Sequence, residues 1–187
     1  MEQELNQFER RLLLKPCVFI DPSVILASGI EGFSLKEPCV RYISKANKGY
    51  RPFITKTMMG EIFKRLCKID DINTAQSAFI FFKNLFSERE FRFIPHMNSS
   101  WATKYLKDNC SLIPLDDRLN LSHIYAAISH PKIKEKEQLN SNIHFATIDE
   151  KINQSDIVRF ISMRLGIKIV NPQSLWLIFF YPLELIF

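Results

Sequence analysis

No CxxC pair exists among the four cysteines at positions 17, 39, 67 and 110, so the spacing excludes a zinc knuckle or a thioredoxin-like dithiol. No glycine-rich loop follows the first apolar run, which argues against a Rossmann- or flavodoxin-like nucleotide binder. The chain has no internal repeat, heptad array or low-complexity segment. It also lacks an apolar run of the roughly 20 residues that a bilayer span needs; the apolar stretch 175–187 is interrupted by Pro182 and Glu184. The start, Met1-Glu2-Gln3-Glu4, is acidic and polar rather than signal-like. A cytoplasmic protein with reduced thiols is the expectation.

What is present suits one globular domain. The 187 residues are 47% hydrophobic and 24% charged, enough to bury a sizeable core. Sixteen Phe imply either an aromatic-rich core or an apolar surface kept for a partner. A net charge of +5 tolerates a polyanionic partner such as nucleic acid without demanding one. The densest basic cluster, Lys132 to Lys136, reads as a solvated loop.

The organising stretch is Cys17-Val18-Phe19-Ile20-Asp21, a short apolar run that meets a carboxylate. Such runs read as strands buried on both faces, the kind found in parallel sheets. A polar helix over 2–14 precedes it, and 27–32, with two glycines, reads as a loop. A helix is expected over 37–48, a second strand over 52–55, and amphipathic helices over 56–69 and 73–86. Phe91–Pro95 suggests a third strand, followed by helices from Ser99 or Ser100 to about Asn109 and over 117–129. A polar linker (132–142) leads to Ile143-His144-Phe145-Ala146-Thr147-Ile148-Asp149, the second apolar run to end in Asp. Ser155 caps a helix over 156–165, Gly166 closes it, and 167–170 is the last strand. Alternating helices and short apolar strands predict a three-layer α/β/α sandwich around a central, mostly parallel sheet. The expected organisation is an N-terminal extension (1–16), one domain (17–172) and an apolar tail (173–187). That tail is expected to dock on its own domain or a second subunit.

Four acids are expected to converge. Asp21 and Asp149 end two parallel strands and so share one rim of the sheet. Glu61 lies early in the helix after the second strand, and Asp117 continues the apolar stripe of its helix, so it points inward. Each also has an ordinary reading: Asp21, Asp116 or Asp117 as a helix cap, Glu61 paired with Arg65, and Asp149 opening a turn. Carboxylates crowded together repel unless they share a cation. Mg²⁺ or Mn²⁺, which take oxygen ligands, resolve that repulsion. Phosphodiester hydrolysis is the chemistry such a layout serves.

Taken in order, Phe19-Ile20-Asp21-Pro22-Ser23, Glu61, an Asp-bearing helix with His123-Ile124-Tyr125-Ala126-Ala127, and Thr147-Ile148-Asp149 resemble the PIN domain, the nuclease fold of VapC-type toxins and of several RNA-processing enzymes. The likeness covers residues 17 to 172. Asp21 with Ser23 matches the opening motif and Thr147-x-Asp149 the closing one. On the middle helix the sequence departs from the family pattern. Registering on His123 puts Asn120 in the acid's place, registering on Ala126-Ala127 puts Ser122 there, and Asp116 and Asp117 lie one turn earlier. Asp117 is the expected acid, and His123 is read as a core histidine.

The resemblance implies a metal-dependent endoribonuclease in which Asp21, Glu61, Asp117 and Asp149 hold Mg²⁺ or Mn²⁺. Ser23, Thr147 and Asn120 would support them, and Asp156 would be an extra acid. Lys56, Lys64, Arg118 and Lys151 are the candidate phosphate contacts. The resemblance also implies RNA as substrate, a homodimer and an antitoxin or other protein partner. The alternative is a PIN-like domain with a degraded acid cluster, acting as an RNA-binding or protein-interaction module.

Overall fold

The computed structural model describes residues 17–88, 91–94, 100–129 and 143–174. The expected N-terminal helix, the linker 132–142 and nearly all of the apolar tail lie outside the described residues. Strand β1 (Cys17–Ile20) is buried along its whole length, as an apolar run without alternation requires. It leads into α1 (Pro22–Gly29) and α2 (Lys36–Gly49), then β2 (Arg51–Thr55), α3 (Lys56–Leu66) and α4 (Ile72–Glu88). Strand β3 (Arg92–Ile94), α5 (Ser100–Asn109) and α6 (Leu115–Ser129) follow. The last elements are β4 (Ile143–Ala146), α7 (Glu150–Asn153), α8 (Asp156–Arg164) and β5 (Ile167–Val170).

The strands form one sheet in the order β3-β2-β1-β4-β5, and every neighbouring pair is parallel. With helices packed around it the domain is a three-layer α/β/α sandwich. Parallel pairing puts all strand C-termini on one edge. The chain leaves β1 toward β2 and later returns on its other side as β4, so the strand order reverses between β1 and β4. Open α/β sheets bind ligands in the crevice at that reversal. Register places Ile20 beside Ala146, so the residues just beyond them, Asp21 and Thr147, flank the crevice.

Phe19 and Phe53 stack with centroids 5.5 Å apart across β1 and β2, and Phe81, Phe82, Phe86 and Phe91 form a chain of ring contacts along α4. Much of the aromatic surplus therefore sits in or against the core. Phe33, Phe63, Phe79 and Phe160 stay exposed.

Three boundaries differ most from the sequence reading. The expected loop over 27–32 is helical as far as Gly29. Val24 to Gly29 are all buried, and the Ser28 hydroxyl is satisfied by the Ile25 carbonyl at 2.6 Å, so nothing there requires solvent. Helix α3 stops at Leu66 instead of 69, because the amides of Cys67, Lys68 and Ile69 turn back onto Phe63, Arg65 and Leu66. Strand β4 ends at Ala146, three residues before Asp149, which instead caps α7. Among the described residues no helix is long and apolar enough to cross a membrane.

Gly29 sits where α1 meets α4: a Cβ there would lie 2.8 Å from Cδ1 of Phe81. Gly29→Val is therefore expected to overpack this contact, at a cost of about 1–3 kcal/mol. A thermal melt should show the loss as a drop of roughly 2–10 °C, partly recovered in Gly29→Val/Phe81→Ala.

Candidate active site

Asp21 is fixed by its own turn. Its backbone N–H extends the β1–β4 ladder by donating to Ala146 O at 2.9 Å, and its side chain caps α1. Oδ2 accepts from the Ser23 amide at 2.9 Å and from the Ser23 hydroxyl. Oδ1 is buried and has no hydrogen-bond partner. The capping reading of Asp21 holds through Oδ2, while Oδ1 is left over from it. Burial, aided by the charge of Glu61, pushes the carboxyl up to about 6, against the bonds from Ser23 and the charge of Arg65.

The facing tip is built from Thr147 and Asp149. The Thr147 hydroxyl accepts from the Asp149 amide at 3.1 Å and lies 3.4 Å from the Ser23 hydroxyl, which joins the two strand ends. Asp149 Oδ1 accepts from the amides of Lys151 at 2.8 Å and Ile152 at 3.4 Å. Asn153 donates to the carbonyls of Thr147 and Asp149 and holds the loop from below.

Helices α3 and α6 pack against each other and bring the other two acids. Thr55 caps α3 through the Met58 amide at 3.1 Å, which starts the helix directly at the strand tip and sets Glu61 inward. Glu61 is buried. Its Oε2 accepts from Asn120 Nδ2 at 2.6 Å, and its Oε1 pairs with Arg65, a turn along and 45% exposed. Asp117 is buried in the first turn of α6. Desolvation, then the charges of Asp21, Asp149 and Glu61, and a hydrogen bond shared with Asp149 push its carboxyl up to about 8.

Asp21, Glu61, Asp117 and Asp149, from four separated segments, are therefore electrostatic neighbours at one crevice. Asp116 is not among them: it turns outward, half-exposed, 3.5 Å from Lys64. Asn120 is buried and supports Glu61, with its own Oδ1 unpartnered. Ser122 bonds back to the Arg118 carbonyl at 2.6 Å, within its own helix. His123 is buried, as read. Asp156 does not join the cluster: it is almost fully exposed at the start of α8, 3.4 Å from Arg159. Sequence reasoning treated the Arg65 pairing as an alternative to function. In the structure the same pairing supplies positive charge to the acids, which the i, i+4 spacing alone could not reveal.

Among the described residues no three His, Cys, Asp or Glu side chains are arranged to hold a metal ion together. The donor set nevertheless fits a hard divalent cation. It is all oxygen, it carries an orphaned buried carboxylate oxygen on Asp21, and its strongest repulsion falls on Asp117.

No family model matches the sequence, and no curated protein matches it. A chain of VapBC2 from Rickettsia felis, solved bound to a DNA fragment from their promoter, superposes with a TM-score of 0.53 at 12% identity, covering 83% of this chain and 98% of that one. The fold is that of a PIN domain. VapC20 of Mycobacterium tuberculosis, a Sarcin-Ricin loop cleaving toxin, gives a TM-score of 0.49 at 14% identity over 73% of this chain and 92% of that one. FitAcB from Neisseria gonorrhoeae gives 0.48 at 10% identity over 83% and 98%. The parallel pairing of the strands accounts for the common rim at which these acids lie.

The raised carboxyls have a defined sign. The folded chain binds protons that the unfolded chain has released, so the stability from Asp21 and Asp117 is fully present below about pH 4. It is lost as pH rises, until Asp21 has ionised near 6 and Asp117 near 8. With chelator present, Asp117→Asn is expected to flatten this decline and to raise the melting temperature at pH 8 by about 5 °C. An unchanged melting curve would place Asp117 outside the cluster.

Proposed function

We propose that this chain is a metal-dependent endoribonuclease of the PIN type. The support for this reading is the gathering of four acids from separate segments at the point where the strand order reverses, with Asp117 buried and its carboxyl raised by desolvation and then by the charges of the other three. Asp21, Glu61, Asp117 and Asp149 are the residues that would hold Mg²⁺ or Mn²⁺. Such an ion, when bound, activates a water for attack and stabilises charge building on the phosphate.

The chain's own groups prepare that site. Ser23 holds one oxygen of Asp21 and so leaves the other free. Thr147 fixes the backbone from which Asp149 projects, and Asn120 orients Glu61. Arg65 offsets part of the negative charge from the solvent side of Glu61. Lys56 and Lys151 are exposed near the rim and suited to RNA phosphates, as is the half-buried Arg118. Lys64 is engaged by Asp116.

A protein partner and a homodimer belong to the same proposal. VapBC2 was solved bound to a DNA fragment from its promoter, and this chain exposes Phe63, Ile72, Phe79 and Ile80 on α3 and α4. The rival reading, a non-catalytic RNA-binding or protein-interaction module, rests on the buried Asn120 and Ser122, each of which stands where one register of the resemblance places an acid.

Cleavage of single-stranded RNA in Mn²⁺ separates the two. Activity is expected to vanish with chelator and to fall at least about 100-fold in Asp21→Asn and Asp149→Asn, and calorimetry should show Mn²⁺ binding weakened in both. RNA binding without cleavage or Mn²⁺ uptake would favour the module. Arg65→Met is expected to destabilise the chelated protein and to enlarge the rise in melting temperature on adding MnCl₂, since the acids then lack their internal counter-charge.

A further inference from the structure

Beside the acids lies a second feature that the proposed chemistry does not use. A cavity of about 210 Å³ opens next to the crevice, with Ser23, Arg65 and Ile148 at the acid end and Ala27, Ile30 and Phe33 among its apolar lining. It is continuous with the acid site through three of these residues. Ser23 bonds Asp21, Arg65 pairs with Glu61, and the Ile148 amide donates to the Ser23 hydroxyl at 3.4 Å. Phe33 is 44% exposed although it borders the cavity. It is delivered there by a turn in which Gly32 adopts φ 76, and the turn is closed by the Lys36 amide on the Phe33 carbonyl at 3.0 Å.

The volume is below the roughly 300 Å³ at which sites for drug-sized ligands begin, and it equals about seven waters. That is the size class of one planar heterocycle. The lining is apolar with an aromatic edge, while the mouth beside it carries a guanidinium and then acids suited to a cation. A nucleotide has this same polarity: a flat, stackable base joined to a phosphate. A purely apolar peptide side chain would leave the polar mouth formed by Ser23 and the half-exposed Arg65 without a matching group.

We propose that this cavity is a nucleobase subsite. It receives one unpaired base next to the scissile phosphate, stacked on Phe33, while Arg65 spans the base and the acid site. The proposal rests on the ribonuclease reading and adds the feature that would set which nucleotide flanks the cut.

The test uses short fluorescein-labelled single-stranded RNAs carrying one abasic residue at successive positions. Binding to the Asp21→Asn protein is measured by anisotropy, and cleavage by the wild type is followed in parallel. One abasic position flanking the cut is expected to weaken binding about tenfold or more, as loss of a stacked base does. Phe33→Ala, at an exposed position that does not threaten folding, should weaken intact RNA similarly and abolish the further abasic penalty. Ala27→Trp, which fills the cavity, should do the same. If the wild type cuts RNA while abasic residues and both variants leave affinity unchanged, the subsite is wrong and the cavity serves another occupant, such as a peptide. If the wild type neither binds nor cuts RNA, both the subsite and the ribonuclease reading fall.

Discussion

Repulsion among buried carboxylates is the constraint on which the arrangement at the crevice depends. Asp21, Glu61 and Asp117 are removed from water by helices packed over the strand tips, and Asp149 is half-buried beside them. The chain manages this charge in three ways. It lends a hydroxyl and an amide to Asp21 and backbone amides to Asp149, gives Glu61 a side-chain amide and a guanidinium, and leaves the Asp117 carboxyl raised. Each device is partial. The orphaned Asp21 oxygen and the displaced Asp117 titration are what remains. A cluster that satisfied all its own charge would have no call on a cation; this one is left short of positive charge.

Much of the frame was legible because it follows from local patterns. The apolar run before Asp21 could only be a strand buried on both faces, and Ser155 caps α8 as its side chain suggests. Asp117 was placed inward by its spacing to Leu121, and both residues are buried. Other details follow from contacts that no local pattern encodes. The glycines at 29 and 32 look alike in sequence, yet one lets α1 approach Phe81 and the other shapes a turn. Asp156 was read only as an extra acid, and it lies almost fully exposed at the start of α8, beside Arg159.

Asn120 shows how a departure from a family pattern can be read in physical terms. An acid at that position would face Glu61 directly, where the amide now donates a 2.6 Å hydrogen bond. The amide gives Glu61 a donor where an acid would repel it, and Asp117, one turn back, is buried on the same helix. The helix keeps the same buried stripe, so the exchange leaves the packing of α6 on α3 intact.

The Ser23–Thr147 contact joins residues 124 apart in the chain, and it closes only when β4 docks beside β1. Parallel pairings of such separation form late, after their loop-closure entropy has been met. A nascent polypeptide that has not yet delivered residue 149 beyond the ribosome holds Asp21, Glu61 and Asp117 with no fourth carboxylate to complete them. The four-acid cluster is thus completed only when the last parallel strands are in place, an order set by the topology of the sheet.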